Sequence, residues 1–242
     1  MDFKLQVPTA LEYFASLVQS DEHFPLLEAA ASLGQDEYPE LDIQQVLDLV
    51  DQLSGRLKQR MAADAGALQK LRVLNQFFFE EHGFGGNLNN YYDPDNSYLH
   101  VMLRTRRGIP ISLAVLWLEL ALGLGLNAQG VSFPGHFLVK VRLPFPNEGQ
   151  VVIDPFMGES LSKEDLSERL APLHAESGLM RDGHVSDELL KHYLRAATPR
   201  EIIARMLRNL EEVYTSNQDP GRLMLVRRRL AVLLPHVTED DA

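Results

Sequence analysis

The chain has 242 residues, of which 45% are hydrophobic and 24% charged, as is typical of a protein that buries a substantial apolar core. A net charge of −11 argues against a nucleic-acid-binding protein, because contacts to phosphate need clustered positive charge. The absence of cysteine excludes disulfides, cysteine-ligated metal sites and a thiolate nucleophile. No basic region followed by a long apolar run opens the chain, so we expect a cytoplasmic protein.

Residues 1–82 have the pattern of a helical region. Two short stretches, LEYFASLVQ and PLLEAAASLGQ, are separated at Pro25. Asp42, with Gln45 three residues later, resembles a capping box, and apolar residues recur behind it at helical spacing. A further amphipathic run, ALQKLRVLNQFFFEEHG, ends at Gly83, which is typical of the residue that follows a helix.

The middle of the chain changes from loop to helix to strand. The segment GFGGNLNNYYDPDNSYL is rich in loop-forming residues, and Pro110 then begins an apolar helix at a position where its missing N–H costs nothing. Glu119 in the middle of this helix favours a buried core helix over a membrane span. Alternation in HFLVKVRL predicts a strand, and AQGVSF and QVVIDPF predict its two antiparallel neighbours, with a hairpin loop at PFPNEG.

Beyond Leu161 the pattern is again helical, and its last part predicts two helices joined by a turn near Asp219, a unit of roughly tetratricopeptide size. We therefore predict an α+β fold with three parts: a helical region (1–82), a core with a small antiparallel sheet (83–172) and a helical tail (173–242). The tail carries eight arginines between residues 195 and 229. They form either a solvated helix face or a surface for an acidic partner or for the acidic N-terminal region.

His136 and Asp154 form the first candidate site. His136 follows a Pro–Gly turn at the mouth of one predicted strand, and Asp154 ends the next strand, before a proline. Because the hairpin loop is centred near residue 145, we expect the two side chains to lie nearly opposite each other. An acid there can orient the imidazole for work as a base. The alternative is a strand-end histidine beside a turn-capping aspartate.

Three segments in order resemble the core of transglutaminase-like enzymes: RRGIPISLA, GHFLVKV and VIDPF. In that core an arginine–glycine turn precedes the catalytic cysteine, a histidine opens a strand, and an Asp–Pro closes the next. With NYYDPDNSYL added, the chain is similar over nearly its whole length to the bacterial SirB-type transglutaminase-like proteins. That resemblance implies a papain-like core, a helical N-terminal domain and a tetratricopeptide-like C-terminal segment.

The resemblance places Gly108 at the turn glycine, His136 and Asp154 at two triad positions, and Pro110 at the cysteine. Thiol acyl transfer is therefore excluded. Ser112, two residues further along, is an alternative nucleophile for a serine-type amidase or peptidase, although a serine in a first helical turn more often bonds to the backbone.

The helix start also suggests binding without covalent chemistry. Arg106 and Arg107 beside a helix N-terminus predict an anion or carboxylate site, with Asn90 and Tyr92 at its edge. No histidine pair has metal-ligand spacing and no nucleotide motif is present, so we expect no metal and no cofactor.

These observations predict a non-catalytic binding or regulatory protein that uses the vestigial His/Asp pocket to bind a protein or peptide, and that binds neither nucleic acid nor membranes. The serine hydrolase and a scaffold that acts through the helical tail remain the alternatives.

Overall fold

The computed structural model describes residues 8–145, 148–174, 180–181 and 184–235. The helices are α1 (Ala10–Leu17), α2 (Leu26–Ser32), α3 (Ile43–Lys58), α4 (Ala67–Asn75), α5 (Leu99–Thr105), α6 (Pro110–Gly123), α7 (Lys163–His174), α8 (Asp187–Tyr193), α9 (Pro199–Ser216) and α10 (Pro220–Leu233). The strands are β1 (Gly85–Gly86), β2 (Arg107–Gly108), β3 (Asn127–Val131), β4 (Leu138–Leu143), β5 (Gly149–Asp154), β6 (Glu159–Leu161), β7 (Met180–Arg181) and β8 (His184–Val185). The predicted α+β class is confirmed.

Helix α6 lies at the centre of the molecule. Pro110 occupies its first turn, as predicted, and apolar side chains surround almost the whole helix. The largest, Trp117, is fully buried and donates a hydrogen bond from Nε1 to Asn75 Oδ1 at 3.1 Å. Helices α2, α3, α4, α5 and α9 and strands β3 and β4 pack around it. Across the described ranges, the structure contains no helix long and apolar enough to cross a membrane.

The main sheet is antiparallel with the strand order β3-β4-β5-β6. The three predicted strands are present. The fourth, β6, is only three residues long and lacks an alternating pattern, so the sequence did not indicate it. Val139 pairs with Ile153, and continuing this register places Leu138 opposite Asp154. His136 therefore precedes β4 by two residues instead of facing Asp154 directly.

Both faces of the main sheet are covered. Val139 and Val141 belong to the large core around α6, whereas Leu138 and Val152 belong to a second cluster with Leu166 and other residues of α7 and α8. This explains why Leu138 is fully buried although it alternates with Val139 and Val141 along β4. The strands β4 and β5, whose ends carry His136 and Asp154, are therefore packed on both faces.

Two short strands connect the loop region to the start of α6. Helix α4 continues through a π-helical segment over residues 76–81, and Gly83 then takes a left-handed conformation with φ of 65°, as its predicted position after a helix requires. Gly85 and Gly86 pair in parallel with Arg107 and Gly108. A Cβ at Gly108 would lie 2.6 Å from Ser112 Oγ, which explains the need for glycine at this turn.

The predicted C-terminal helix pair is present as α9 and α10, joined by a short turn. The main hydrophobic cluster contains side chains from all three predicted parts, among them Phe14, Trp117 and Met206. The three-part division itself stays a prediction.

Several arginines of the helix pair bind the N-terminal region, which was one of the alternatives left open. Arg200 bonds to Asp21 at 2.7 Å, Arg229 bonds to Asp36 at 2.6 Å, and Arg222 pairs with Glu37.

Candidate functional site

His136 lies at the end of a tight turn before β4. Gly135 takes a left-handed φ of 67°, and the amide of His136 donates to the carbonyl of Phe133 at 3.0 Å. The imidazole is 21% exposed. Its Nε2 lies 2.8 Å from Asp154 Oδ1, and no described residue bonds to Nδ1. The predicted pairing of His136 with Asp154 is thus present, and Nδ1 is left as the ring nitrogen that a ligand can use.

Asp154 is almost completely buried and its two oxygens accept several hydrogen bonds. Oδ1 accepts from His136 and from the amides of Phe156 and Met157, at 2.9 and 3.3 Å, and Oδ2 accepts from Arg169 at 3.0 Å. Burial acts to raise the pKa of Asp154, but the hydrogen bonds and charge of His136, together with Arg169, outweigh burial and lower it. The carboxylate stays ionised and can orient the imidazole.

Arg169 was missed by the sequence reasoning. It projects from α7, next to the buried Leu170, and bonds to Asp154 Oδ2, whereas His136 bonds to Oδ1. A single arginine on an amphipathic helix has no motif around it, and only the packing of α7 against the sheet brings it to Asp154. No feature of the sequence distinguishes Arg169 from a solvated arginine.

The structure places Pro110 and Ser112 inside the protein. Pro110 is buried at the start of α6, and Ser112 is fully buried. The Ser112 hydroxyl donates to the carbonyl of Asn96 at 2.6 Å and accepts from the amide of Ile109 at 3.1 Å. A hydroxyl that is occupied in this way and shielded from solvent is poorly suited to attack a substrate, which favours the backbone-bonding interpretation of Ser112.

The bonds of Ser112 anchor a loop over residues 87–96. Asn96, also buried, donates to the carbonyls of Asn90 and Tyr91, while Asn90 donates to Asp93 Oδ2 at 2.9 Å. These are the hydrogen bonds of a structured turn. Asn90, proposed as a binding residue, thus serves the loop, whereas Tyr91 and Tyr92 are 41% and 69% exposed on its outer side.

Phe156 links this loop to His136. Its carbonyl accepts from the amide of Gly86 at 2.8 Å, and a Cβ at Gly86 would lie 2.4 Å from its ring. The ring centroid is 5.8 Å from that of Tyr91 and 6.3 Å from that of His136, edge-on in both cases. An aromatic surface therefore borders the imidazole. Its members are far apart in the sequence, which is why periodicity did not reveal it.

The side chains of Arg106 and Arg107 contact nearby residues of the loop that precedes β1. The guanidinium of Arg106 lies over the ring of Phe84 at 4.5 Å, and Arg107 donates to the carbonyl of Gly83 at 2.6 Å. Within the described ranges, neither forms a hydrogen bond or an ion pair with His136 or Asp154. An anion site on these two arginines stays a prediction that their observed contacts do not favour.

In the part of the chain that the structure describes, no group of three or more His, Asp or Glu side chains could hold a metal ion. The site itself presents an oriented, partly exposed imidazole bordered by aromatic rings.

A central apolar helix packed against an antiparallel sheet that carries a His–Asp pair is consistent with a transglutaminase-like α+β fold. The family model described as the transglutaminase-like superfamily matches residues 44–208. The chain belongs to this superfamily. It is 39% identical over 221 residues to a UPF0162 protein of Xylella fastidiosa (strain 9a5c), an alignment that covers 90% of this chain and 75% of the relative.

Two further relatives extend the comparison. The UPF0162 protein PA3419 of Pseudomonas aeruginosa is 31% identical over 235 residues, which cover 97% of this chain and 76% of the relative. The F-box only protein 21 of Mus musculus is 40% identical over 72 residues, which cover 30% of this chain and 12% of the relative. No solved structure gives a significant match.

Proposed function

We propose that this protein is a non-catalytic member of its superfamily that binds a peptide segment of a partner protein at the surface formed by His136, Phe156 and Tyr91. The single observation that carries the proposal is the contrast between the two halves of the site. His136 is held in place by the buried Asp154 and is itself partly exposed, while the position that the resemblance assigns to the cysteine holds the buried Pro110.

The chemistry of the surface supports a peptide ligand. Aromatic side chains beside a polar anchor recur in protein-binding sites, because they bury a large area at a low cost in conformational entropy. Nδ1 of His136 offers one hydrogen bond to a peptide N–H or C=O group. The buried and bonded Ser112 hydroxyl disfavours the serine hydrolase.

We also propose that the chain is a SirB-type protein with a tetratricopeptide-like tail. The support for this assignment is the order of the four sequence motifs and the paired helices α9 and α10. Several tail arginines are bound within the chain, so the scaffold hypothesis has less basic surface to act through.

A library of random decapeptides, screened against the purified full chain, tests the proposal. We expect a subset to bind and to lose affinity at least about tenfold in the His136→Ala and Tyr91→Ala variants. The matched control is His192→Ala, which removes an exposed imidazole on α8 and should change nothing. Affinity is measured by fluorescence anisotropy of labelled peptides.

A serine-reactive fluorophosphonate probe and mass spectrometry of the incubated peptides test for catalysis. We expect neither labelling nor cleavage. Binding that is equal in the wild type and the His136→Ala variant, an absence of any bound peptide, or His136-dependent labelling would each overturn the proposal.

A further inference from the structure

A cavity of about 430 Å³ lies between the exposed loop and helix α9, directly beside the His136 turn. Tyr91 and Tyr92 form part of one wall, Gly135 lies at the end next to His136, and α9 forms the facing wall through Arg205, Asn209 and Glu212. The α9 residues are four and three positions apart, which places them on one face of the helix. The volume is in the range of small-ligand and peptide-anchor pockets.

The two charged residues on this face have no ion-pair partner among the described residues. Most other tail arginines do: Arg200, Arg222 and Arg229 pair with the N-terminal region, and Arg227 pairs with Glu211.

Among the described residues, Arg205 forms one hydrogen bond, from Nη1 to Ser132 Oγ at 3.0 Å, and Ser132 lies three residues before Gly135 of the His136 turn. The remaining N–H groups of Arg205 are left for a ligand. Glu212 is exposed. Burial is the main cause that raises the pKa of Tyr91; the charge of Glu212 also raises it, and the charge of Arg205 lowers it. Asp93 also lines the cavity, but its carboxylate accepts hydrogen bonds from Asn90 and from the amide of Asp95 within the loop. The cavity therefore presents the cation of Arg205 and, further along α9, the carboxylate of Glu212, which has no ion-pair partner among the described residues.

The spacing of these charges indicates the shape of the ligand. Seven residues of α-helix rise about 10.5 Å, and an extended peptide covers about 3.3 Å per residue. We propose that the cavity binds an extended peptide in which an acidic side chain, held by Arg205, and a basic side chain, held by Glu212, lie about three residues apart. The tyrosines pack against the peptide backbone and against the stem of the basic residue.

This inference names the ligand class of the proposed function and rests on it. The probe is an array of acetylated and amidated heptapeptides, alanine apart from one aspartate and one lysine, spaced two to four positions apart in both orders. We expect the wild-type protein to prefer one order by about fivefold or more, with both charges required. Arg205→Gln and Glu212→Gln should each lower the affinity about fivefold for the preferred peptides.

The charge-exchanged variant Arg205→Glu/Glu212→Arg provides the decisive arm, because it should invert the preferred order. Arg208→Glu repeats only the arginine-to-glutamate half of this exchange, on an exposed position of α9 outside the cavity lining, and should preserve the preference. Equal binding of both orders, or an order that the exchange leaves unchanged, would overturn the inference.

His136→Ala separates this inference from the proposed function. If the order preference follows Arg205 and Glu212 while His136→Ala has no effect, the cavity assignment stands and the role of His136 fails. If His136→Ala abolishes binding of library peptides but no charge order is preferred, the role of His136 stands and the cavity assignment fails.

Discussion

Asp154 joins three elements through one carboxylate. Its hydrogen bonds reach the turn before β4, the backbone after β5 and the helix α7. A buried carboxylate is stable only when such partners compensate for its lost hydration. The same bonds that orient His136 therefore also stabilise the fold, and this stabilisation depends on pH through the carboxylate of Asp154.

Asp154→Asn should lower the free energy of unfolding at pH 7 by about 2–3 kcal/mol, because the buried anion is replaced by a neutral amide. The folded-state pKa of Asp154 lies below that of the unfolded chain, so its contribution is complete above about pH 4 and is lost as the pH falls through the folded-state value. Urea unfolding from pH 7 to pH 3 should show the gap between variant and wild type narrowing in acid.

The exposed Asp51 on α3 provides the control, since Asp51→Asn should leave stability nearly unchanged at every pH. A gap for Asp154→Asn that stays constant down to pH 3 would contradict the assignment.

At the scale of residues, the sequence predicted the pair but not its surroundings. His136 and Asp154 could be found because counting from the hairpin loop relates residues of neighbouring strands. The two side chains still bond to each other although the actual register places Leu138, two residues after His136, opposite Asp154. Arg169 and Phe156 could not be found, because their positions depend on how α7 and a glycine strand pack. Arg106 and Arg107 predicted an anion site because they lie beside a helix N-terminus, whereas their contacts in the structure are with a local carbonyl and an aromatic ring.

At the scale of elements, helix α10 is fastened to the N-terminal region by a buried arginine. Arg229 is 1% exposed, bonds to Asp36 through Nε and lies over the ring of Phe14 at 4.9 Å. Asp36 retains 23% exposure. Removal of Asp36 therefore leaves a buried positive charge without a partner, whereas removal of Arg229 leaves a carboxylate that water can reach.

Asp36→Ala should cost about 3–5 kcal/mol, because it leaves a buried guanidinium without its anion. Arg229→Met should cost at least about 2 kcal/mol less, since methionine keeps a contact with Phe14 and Asp36 can turn to water. Chemical denaturation of the two variants measures the difference. Equal losses would show that the contact acts through packing and not through charge.

Element types were predictable where one physical signal dominated. The capped and amphipathic α3 and the apolar α6 follow from periodicity and from Asp42 and Pro110. The tail hairpin followed from the turn at Asp219, which caps α10. The sequence could not show whether the tail arginines are solvated, bind an acidic partner or bind the N-terminal region, because this depends on which acidic residues the fold brings next to them.

At the scale of the whole molecule, the large hydrophobic cluster runs from α1 to α10 through α6. Side chains of the predicted N-terminal region, core and tail share it. We therefore expect one cooperative unfolding transition for these three parts.

Native-state hydrogen exchange tests this expectation. Met206→Ala, at a fully buried position of α9, should lower the opening free energy of protected amides in α3, α6 and α9 alike, by about 2–4 kcal/mol. Met224→Ala, at a half-exposed position of α10, should have little effect. A loss confined to α9 would show that the tail unfolds independently.

The contact between α2 and α9 has a consequence for synthesis on the ribosome. About 170 residues separate the two helices, so at roughly 5–20 residues per second α2 leaves the ribosome some 10–35 s before α9 can cover it. During that interval the buried face of α2, which includes Ala29 and Ala30, lacks its final neighbour. We therefore expect part of this apolar face to stay uncovered on the nascent chain until α9 arrives.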